Sequence, residues 1–246
     1  MRIGLISDMH ANAVGLDAVL AEFVRDPVDQ IIALGDVAQG GAQPAEVVDR
    51  LRMLGCRCVF GNSDEFLLTL EPELTGEELD EQGRERLVRR GEWTRKQLGR
   101  ERLEFLRSFE PVVPLDVDGE RLVCCHATPE SNLEVILPET PADRVATLVG
   151  DAAAVVAGHV HLQWLRRLDA RFWACVGSAG LAYEHVDPEP LPEQPFEPWA
   201  EYAVVTGAPL RIEFRRVPFD ASAVVRAIRD SGMPDANGFA AQWQDA

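Results

Sequence analysis

Asp8 and His10, one residue apart, close an apolar run from Arg2 to Ser7, and four later runs close in the same manner. Gln30 to Gly35 leads into Asp36, and Arg57 to Phe60 leads into Gly61-Asn62-Ser63-Asp64. Glu120 to Cys125 leads into His126, and Ala153 to Ala157 into Gly158-His159-Val160-His161. Taken singly, an Asp or Asn at a strand end is a turn former, and a lone His is most often a satisfied structural residue. Five strand ends that each finish in a metal-capable side chain are hard to assign to turns alone. Four of the five histidines lie there; His185, the fifth, is set aside as a surface residue. Two carboxylates, four imidazoles and an amide oxygen, without a thiolate, suit two first-row divalent ions (Mn, Fe or Zn) better than a lone Mg²⁺. A carboxylate such as Asp36 can bridge two ions about 4 Å apart, a separation suited to in-line displacement at phosphorus.

The elements that must position these groups are legible from periodicity. Short apolar runs alternate with helical stretches at Ala13 to Arg25 and Pro44 to Leu54, the βαβ pattern of a parallel sheet. Asn12 is placed to cap the first helix. From Asp64 to Phe109 the pattern is helical, with Glu77 to Leu98 and Arg102 to Phe109 as two pieces. Hairpins follow: Val112 to Val117 with Glu120 to Cys125, Gln163 to Leu168 with Arg171 to Val176, and Glu201 to Thr206 with Leu210 to Val217. Pro141 to Val149 reads as a helix, and Asp220 to Arg229 as the last one. The Pro-rich acidic stretch from Asp187 to Pro198 reads as extended. The tail from about 231 to 246 reads as loosely ordered, although Phe239 and Trp243 could dock. The expectation is a single domain over 1–246, with a helical insert at about 64–109.

The 41 acidic residues outnumber 24 Lys plus Arg, a formal net charge of −17. Such a surface repels polyanions, so long nucleic acid is not an expected partner. No apolar run approaches the roughly 18 residues of a membrane span. The chain opens directly into a strand, and its five cysteines read as buried, reduced thiols, so a cytoplasmic location is expected.

The ordered set D-x-H, G-D, G-N-x-D, H and G-H-x-H, running from Asp8 to His161, resembles the calcineurin-like metallophosphoesterases, and its compact form resembles their bacterial and archaeal phosphodiesterase branch. The resemblance implies a four-layer αββα sandwich of two mixed sheets. It implies that Asp8, His10, Asp36 and His161 hold one ion, and that Asp36, Asn62, His126 and His159 hold the other, with a bridging hydroxide as nucleophile. Asp36, Asn62 and Asp64 are then the catalytic candidates, and Asn12, Ser63 and Arg166 the candidate substrate contacts. The implied activity is hydrolysis of a small phosphodiester or phosphomonoester, the diester favoured. The alternative is a non-catalytic metal-binding scaffold of the same fold. Three departures stand out. Ser63 replaces the His that commonly follows Gly-Asn and protonates the leaving group. Ala127 replaces a Gly in the H-G-T-P block. Val176-Gly177-Ser178 lacks the Pro of P-G-S.

Overall fold

The computed structural model describes residues 1–76, 78–183 and 195–243. Sheet one is built from β1 (Arg2–Ile6), β2 (Gln30–Ala33), β3 (Arg57–Cys58), β9 (Trp199–Thr206) and β10 (Arg211–Pro218), in the order β10-β9-β1-β2-β3. β1, β2 and β3 are mutually parallel, with Leu5 opposite Ile32 and Ile32 opposite Arg57, and the C-terminal β9–β10 hairpin adds two antiparallel strands beside β1. Sheet two comprises β4 (Val112–Val117), β5 (Glu120–Cys125), β6 (Ala154–Ala157), β7 (Gln163–Leu168) and β8 (Arg171–Val176), ordered β4-β5-β6-β8-β7. Its three central strands are parallel and its two edges antiparallel.

Strand alternation explains why the sheets stack. In β5, Leu122 and Cys124 point into an inter-sheet core with Ile3 and Leu5 of β1, whereas Val123 and Cys125 point outward. Removing each such aliphatic side chain from water is worth roughly 1.5–3 kcal/mol. Helix α5 (Ala142–Val149) covers the outer face of sheet two through Val145, Leu148 and Val149. On the outer face of sheet one lie α1 (Ala13–Arg25), α2 (Pro44–Leu54), α3 (Asn62–Thr69) and α4 (Glu81–Arg107). The result is helices, sheet, sheet, helix: the four-layer arrangement of two mixed sheets.

Local signals set most boundaries. Asn12 caps α1 by accepting from Gly15 N at 3.0 Å, and Pro44 opens α2, where its missing N–H costs nothing. Asp80 caps α4 through Gly83 N. The two helical pieces predicted on either side of residue 99 join in the single element α4, but Gly99 (φ 62°) breaks its regularity at the expected junction. The tail differs from expectation. After α6 (Ala221–Asp230), the chain forms α7 (Ala236–Ala241), and Phe239 and Trp243 are buried with Phe196 and Ile228 in a fourth cluster that also touches Trp93 of α4. Two large aromatics removed from water offset the entropy of ordering a polar segment. The expectations for His185 and for residues 187–194 lie outside the described residues. No described helix is long and apolar enough to cross a membrane.

Candidate metal centre

The C-terminal ends of β1, β2, β5 and β6 meet along one edge of the sandwich, where ligand sites form in α/β sheets. There the chain turns sharply, and it does so on the candidate ligands themselves. Asp8, His10, Asp36, His159 and His161 all have φ between 44° and 72°. Non-glycine residues held in that region each cost on the order of 1–2 kcal/mol, a cost that collects at functional sites. Two glycines permit the loops to close: a Cβ on Gly61 would stand 2.2 Å from Asp36 Oδ1, and one on Gly158 would stand 2.4 Å from Asp8 Oδ2.

The structure brings all seven predicted ligands together. His10 Nε2 and His161 Nε2 lie 3.0 Å apart, with Asp8 Oδ1 at 3.8 Å from the first and 3.3 Å from the second. Asp36 reaches both sides of the cluster: Oδ2 is 3.6 Å from His10 Nε2, and Oδ1 is 3.4 Å from His126 Nε2. Asn62 Oδ1 lies 2.8 Å from His126 Nε2, and its amide nitrogen donates to Thr75 O, which fixes the oxygen toward the cluster. His159 donates its backbone N–H to Asp8 Oδ2 at 2.9 Å.

Each imidazole is oriented through its other nitrogen, the arrangement usual for metal ligands. Nδ1 of His10, His126 and His161 faces the carbonyls of Gln39, Leu34 and Leu181 at 2.7–2.9 Å. His159 is reversed: Nε2 faces Leu133 O at 3.3 Å, and its ring stands 5.1 Å from that of His126 between centres.

Divalent ions fit this donor set. Asp8 Oδ1 is fully buried without a hydrogen-bond partner, an orphan that a cation would satisfy. With metal–nitrogen bonds of about 2.1 Å, two imidazoles on one ion stand roughly 3–3.4 Å apart, the spacing His10 and His161 already have. Asp8, His10 and His161 form one tight donor group, and Asp8, Asp36 and His126 a second.

Without a cation the charges balance through protons. Burial favours the neutral acid at Asp8, but the charges of His161, His126 and His10 outweigh it and hold the carboxyl well below its usual range. Burial also opposes the charged form of His126 and His161, yet the facing Asp36 and Asp8 raise both. Burial and His161 lower His10, and burial with His126 lowers His159 to about 4.

The remaining predicted residues sit around this cluster in distinct ways. Ser63 donates its hydroxyl to Asp36 Oδ2 at 2.8 Å and its N–H to Oδ1 at 2.9 Å. Asp64 is fully buried and accepts from the N–H groups of Asp36, Val37 and Gly61. Burial and the nearby Asp36 push its pKa up to about 7. Asn12 is engaged at both ends, by Gly15 N and by the carbonyl of Gly180. Arg166 is not drawn into the cluster; its guanidinium donates to the carbonyls of Pro138 and Thr140.

The loop Gly177–Leu181, where the Pro of P-G-S is missing, braces the cluster from the backbone side. Ser178 Oγ donates to Asp8 O at 2.7 Å and accepts from Gly180 N and Leu181 N, while Leu181 O receives His161. Glu201 is fully buried beneath this loop, its N–H bonded to Ser178 O and its carboxyl to Arg216. Burial pushes the Glu201 carboxyl up to about 7 against the pull of Arg216. Tyr183 stacks on His161 at 5.6 Å between ring centres. Nothing in the local sequence marks Glu201 or Tyr183, since neither stands near a ligand in the chain.

The architecture has counterparts. The crystal structure of a metallophosphoesterase from Sphaerobacter thermophilus shares 25% identity with a TM-score of 0.76, covering 99% of this chain and 98% of its own. A hypothetical protein of Pyrococcus horikoshii shares the fold at 17% identity and TM-score 0.78, over 98% and 96% of the two chains. An uncharacterized protein of Methanocaldococcus jannaschii is 26% identical over 240 residues, 95% of this chain and 94% of that one. The family model for the calcineurin-like phosphoesterase superfamily domain matches residues 1–189, a stretch that contains every ligand described above. This chain therefore belongs to the calcineurin-like phosphoesterase superfamily.

Proposed function

We propose that the cluster holds two divalent ions, Mn, Fe or Zn, and that the chain hydrolyses a small phosphoester, with diesters preferred to monoesters. When bound, the ions supply Lewis acidity toward phosphoryl oxygens and an activated water near neutral pH. The observation that carries the reading is Asp36, a single buried carboxylate whose two oxygens face His10 on one side and His126 on the other. Asp8, His10 and His161 complete one site with Asp36; Asn62, His126 and His159 complete the second.

The chain's own groups divide the remaining work. Ser63 holds the bridging carboxylate in place, and its hydroxyl, with a far higher pKa than imidazole, is no acid for a departing alkoxide. Asp64 positions the Asp36 loop through three backbone N–H groups. Arg166 braces the Pro138–Thr140 segment. A diester brings one negative charge to a chain carrying −17, and a monoester up to two, with no imidazole at position 63 to offset the second. We place the chain in the cytoplasm, a reducing compartment suited to its five free thiols.

The test is release of p-nitrophenol from p-nitrophenyl phosphate and from bis-p-nitrophenyl phosphate, with Mn²⁺ and with chelator. The expected result is Mn²⁺-dependent turnover, faster on the bis-ester. Metal binding without turnover of either ester, across Mn²⁺, Fe²⁺ and Zn²⁺, would leave the non-catalytic scaffold as the correct reading.

A further inference from the structure

A cavity of about 1000 Å³ opens between α4 and α7, lined in part by Gln39, Arg86, Arg90, Asp235, Asn237 and Gln242. It adjoins the metal centre at Gln39. Gln39, in its wall, takes His10 Nδ1 on its carbonyl. On the other side Arg90 lies over Phe239, which packs on Phe196, which packs on Tyr183, which stacks on His161. The wall thus meets one ligand of the first donor group, His10, through the Gln39 carbonyl, while a row of packed rings leads from Arg90 back to a second, His161.

The lining carries two arginines of α4. Arg86 and Arg90 stand one helical turn apart on one face of α4. Asp235 lies 4.0 Å from Arg90 and offsets that charge. Arg86 is exposed and has no carboxylate partner among the described residues, although many other arginines of the chain are paired. One guanidinium without a carboxylate partner among the described residues thus faces a cavity whose lining also includes the amides of Asn237 and Gln242. The volume is that of a site for a drug-sized organic ligand rather than for a bare phosphate.

We infer that this cavity binds the non-scissile end of the substrate and that Arg86 recognises a second anionic group there, so the substrate is a phosphoester whose organic body carries another phosphate or carboxylate. The inference rests on the phosphoesterase reading above and names the substrate class for it.

A matched pair tests it: thymidine 5′-(p-nitrophenyl phosphate) and the same ester bearing a 3′-phosphate, which share a leaving group and differ by one anion. The Mn²⁺-loaded chain should show a KM for the 3′-phosphorylated ester lower by roughly tenfold, the worth of one charge-assisted contact. Arg86→Ala should bring the ratio of the two KM values to near one, and Arg86→Lys should restore part of it. A ratio near one in the unsubstituted chain, or one that survives Arg86→Ala, overturns the inference. A second arm separates it from the catalytic reading. With chelator present, tryptophan fluorescence is titrated with thymidine 3′,5′-bisphosphate and with thymidine 5′-monophosphate. Tighter bisphosphate binding that Arg86→Ala abolishes supports the cavity assignment even if neither ester is hydrolysed, in which case the phosphoesterase reading alone fails. Equal binding of the two nucleotides overturns the cavity assignment whatever the turnover.

Discussion

The two sheets meet at one site with different chemistry. Strand ends of sheet one deliver both carboxylates, one imidazole and the amide: Asp8, His10, Asp36 and Asn62. Those of sheet two deliver imidazoles alone: His126, His159 and His161. The anchoring differs accordingly. Asp36 accepts two hydrogen bonds from Ser63 while its backbone N–H donates to Asp64, and the Asp8 carbonyl accepts from Ser178 and Gly180. Each imidazole of sheet two, by contrast, sets one ring nitrogen on one backbone carbonyl, and His126 alone of the three also meets a side-chain amide oxygen, Asn62 Oδ1. Like charges a few ångströms apart must be restrained against mutual repulsion until a cation arrives, whereas a neutral imidazole needs only its tautomer and ring plane fixed. Metal affinity should therefore depend most on sheet one, and within it on the residue that faces both sides.

The largest expected effect follows directly. Asp36→Asn should lower phosphoesterase activity by more than roughly 10²-fold, beyond the 10–100-fold typical of groups that only support a ligand. His161→Asn should cost less, because it removes a donor from one side of the cluster. Comparing kcat/KM at saturating Mn²⁺ decides this; an equal or larger loss in the His161 variant would break the asymmetry.

Next in size is the support of the bridging carboxylate. Ser63→Ala removes the hydroxyl donor to Asp36 and should weaken Mn²⁺ binding by roughly 10–100-fold. Competition with a chelator of known affinity measures it, and unchanged affinity would show that the backbone bond from Ser63 suffices.

Ser178→Ala is the corresponding test of Asp8. It leaves the Leu181 N–H without its acceptor and the Asp8 carbonyl with the Gly180 N–H alone, at about 1–3 kcal/mol for a buried group. Urea denaturation should show that loss, with metal affinity reduced alongside. Stability lost with affinity intact would mean that the Ser178 loop serves only the fold.

The smallest effect concerns Glu201. Its folded pKa, about 7, lies above the ordinary glutamate value of 4.5, so the folded form binds the proton more tightly. The stability that this confers is complete below the unfolded pKa and is lost as pH rises through about 7. Glu201→Gln should match the unsubstituted chain near pH 4.5 and exceed it at pH 8.5 by on the order of 2 kcal/mol. A difference independent of pH would contradict the assignment.

The ligands were legible because strand ends concentrate them: a short, continuous apolar run that stops at Asp or His reports both the buried strand and the site. The boundaries of α1 and α2 were legible for a similar reason, since Asn12, Pro44 and Gly55 punctuate them. Other features had no local signature. The second coordination layer consists largely of carbonyls of Leu34, Gln39, Leu133 and Leu181, and backbone atoms are the same for every residue type. Glu201 looks like a surface acid inside an alternating strand, and only the sandwich places it under the Ser178 loop. The tail read as loosely ordered because α7 is short and carries one large apolar residue; Phe239 and Trp243, the two residues read as able to dock, decide its position through contacts with residues distant in the chain. Ser63 was read as a missing acid, and the structure adds a role on Asp36 that depends on loop closure at Gly61.

The central claim is that Asp36 bridges two ions, and the most direct test is an anomalous difference map from a crystal of the full chain loaded with Mn²⁺. The account predicts two peaks about 3.5–4 Å apart, one against Asp8, His10 and His161, the other against Asn62, His126 and His159, with one oxygen of Asp36 on each or one shared between them. A single peak at full loading, or two peaks with Asp36 bound to only one, would contradict it.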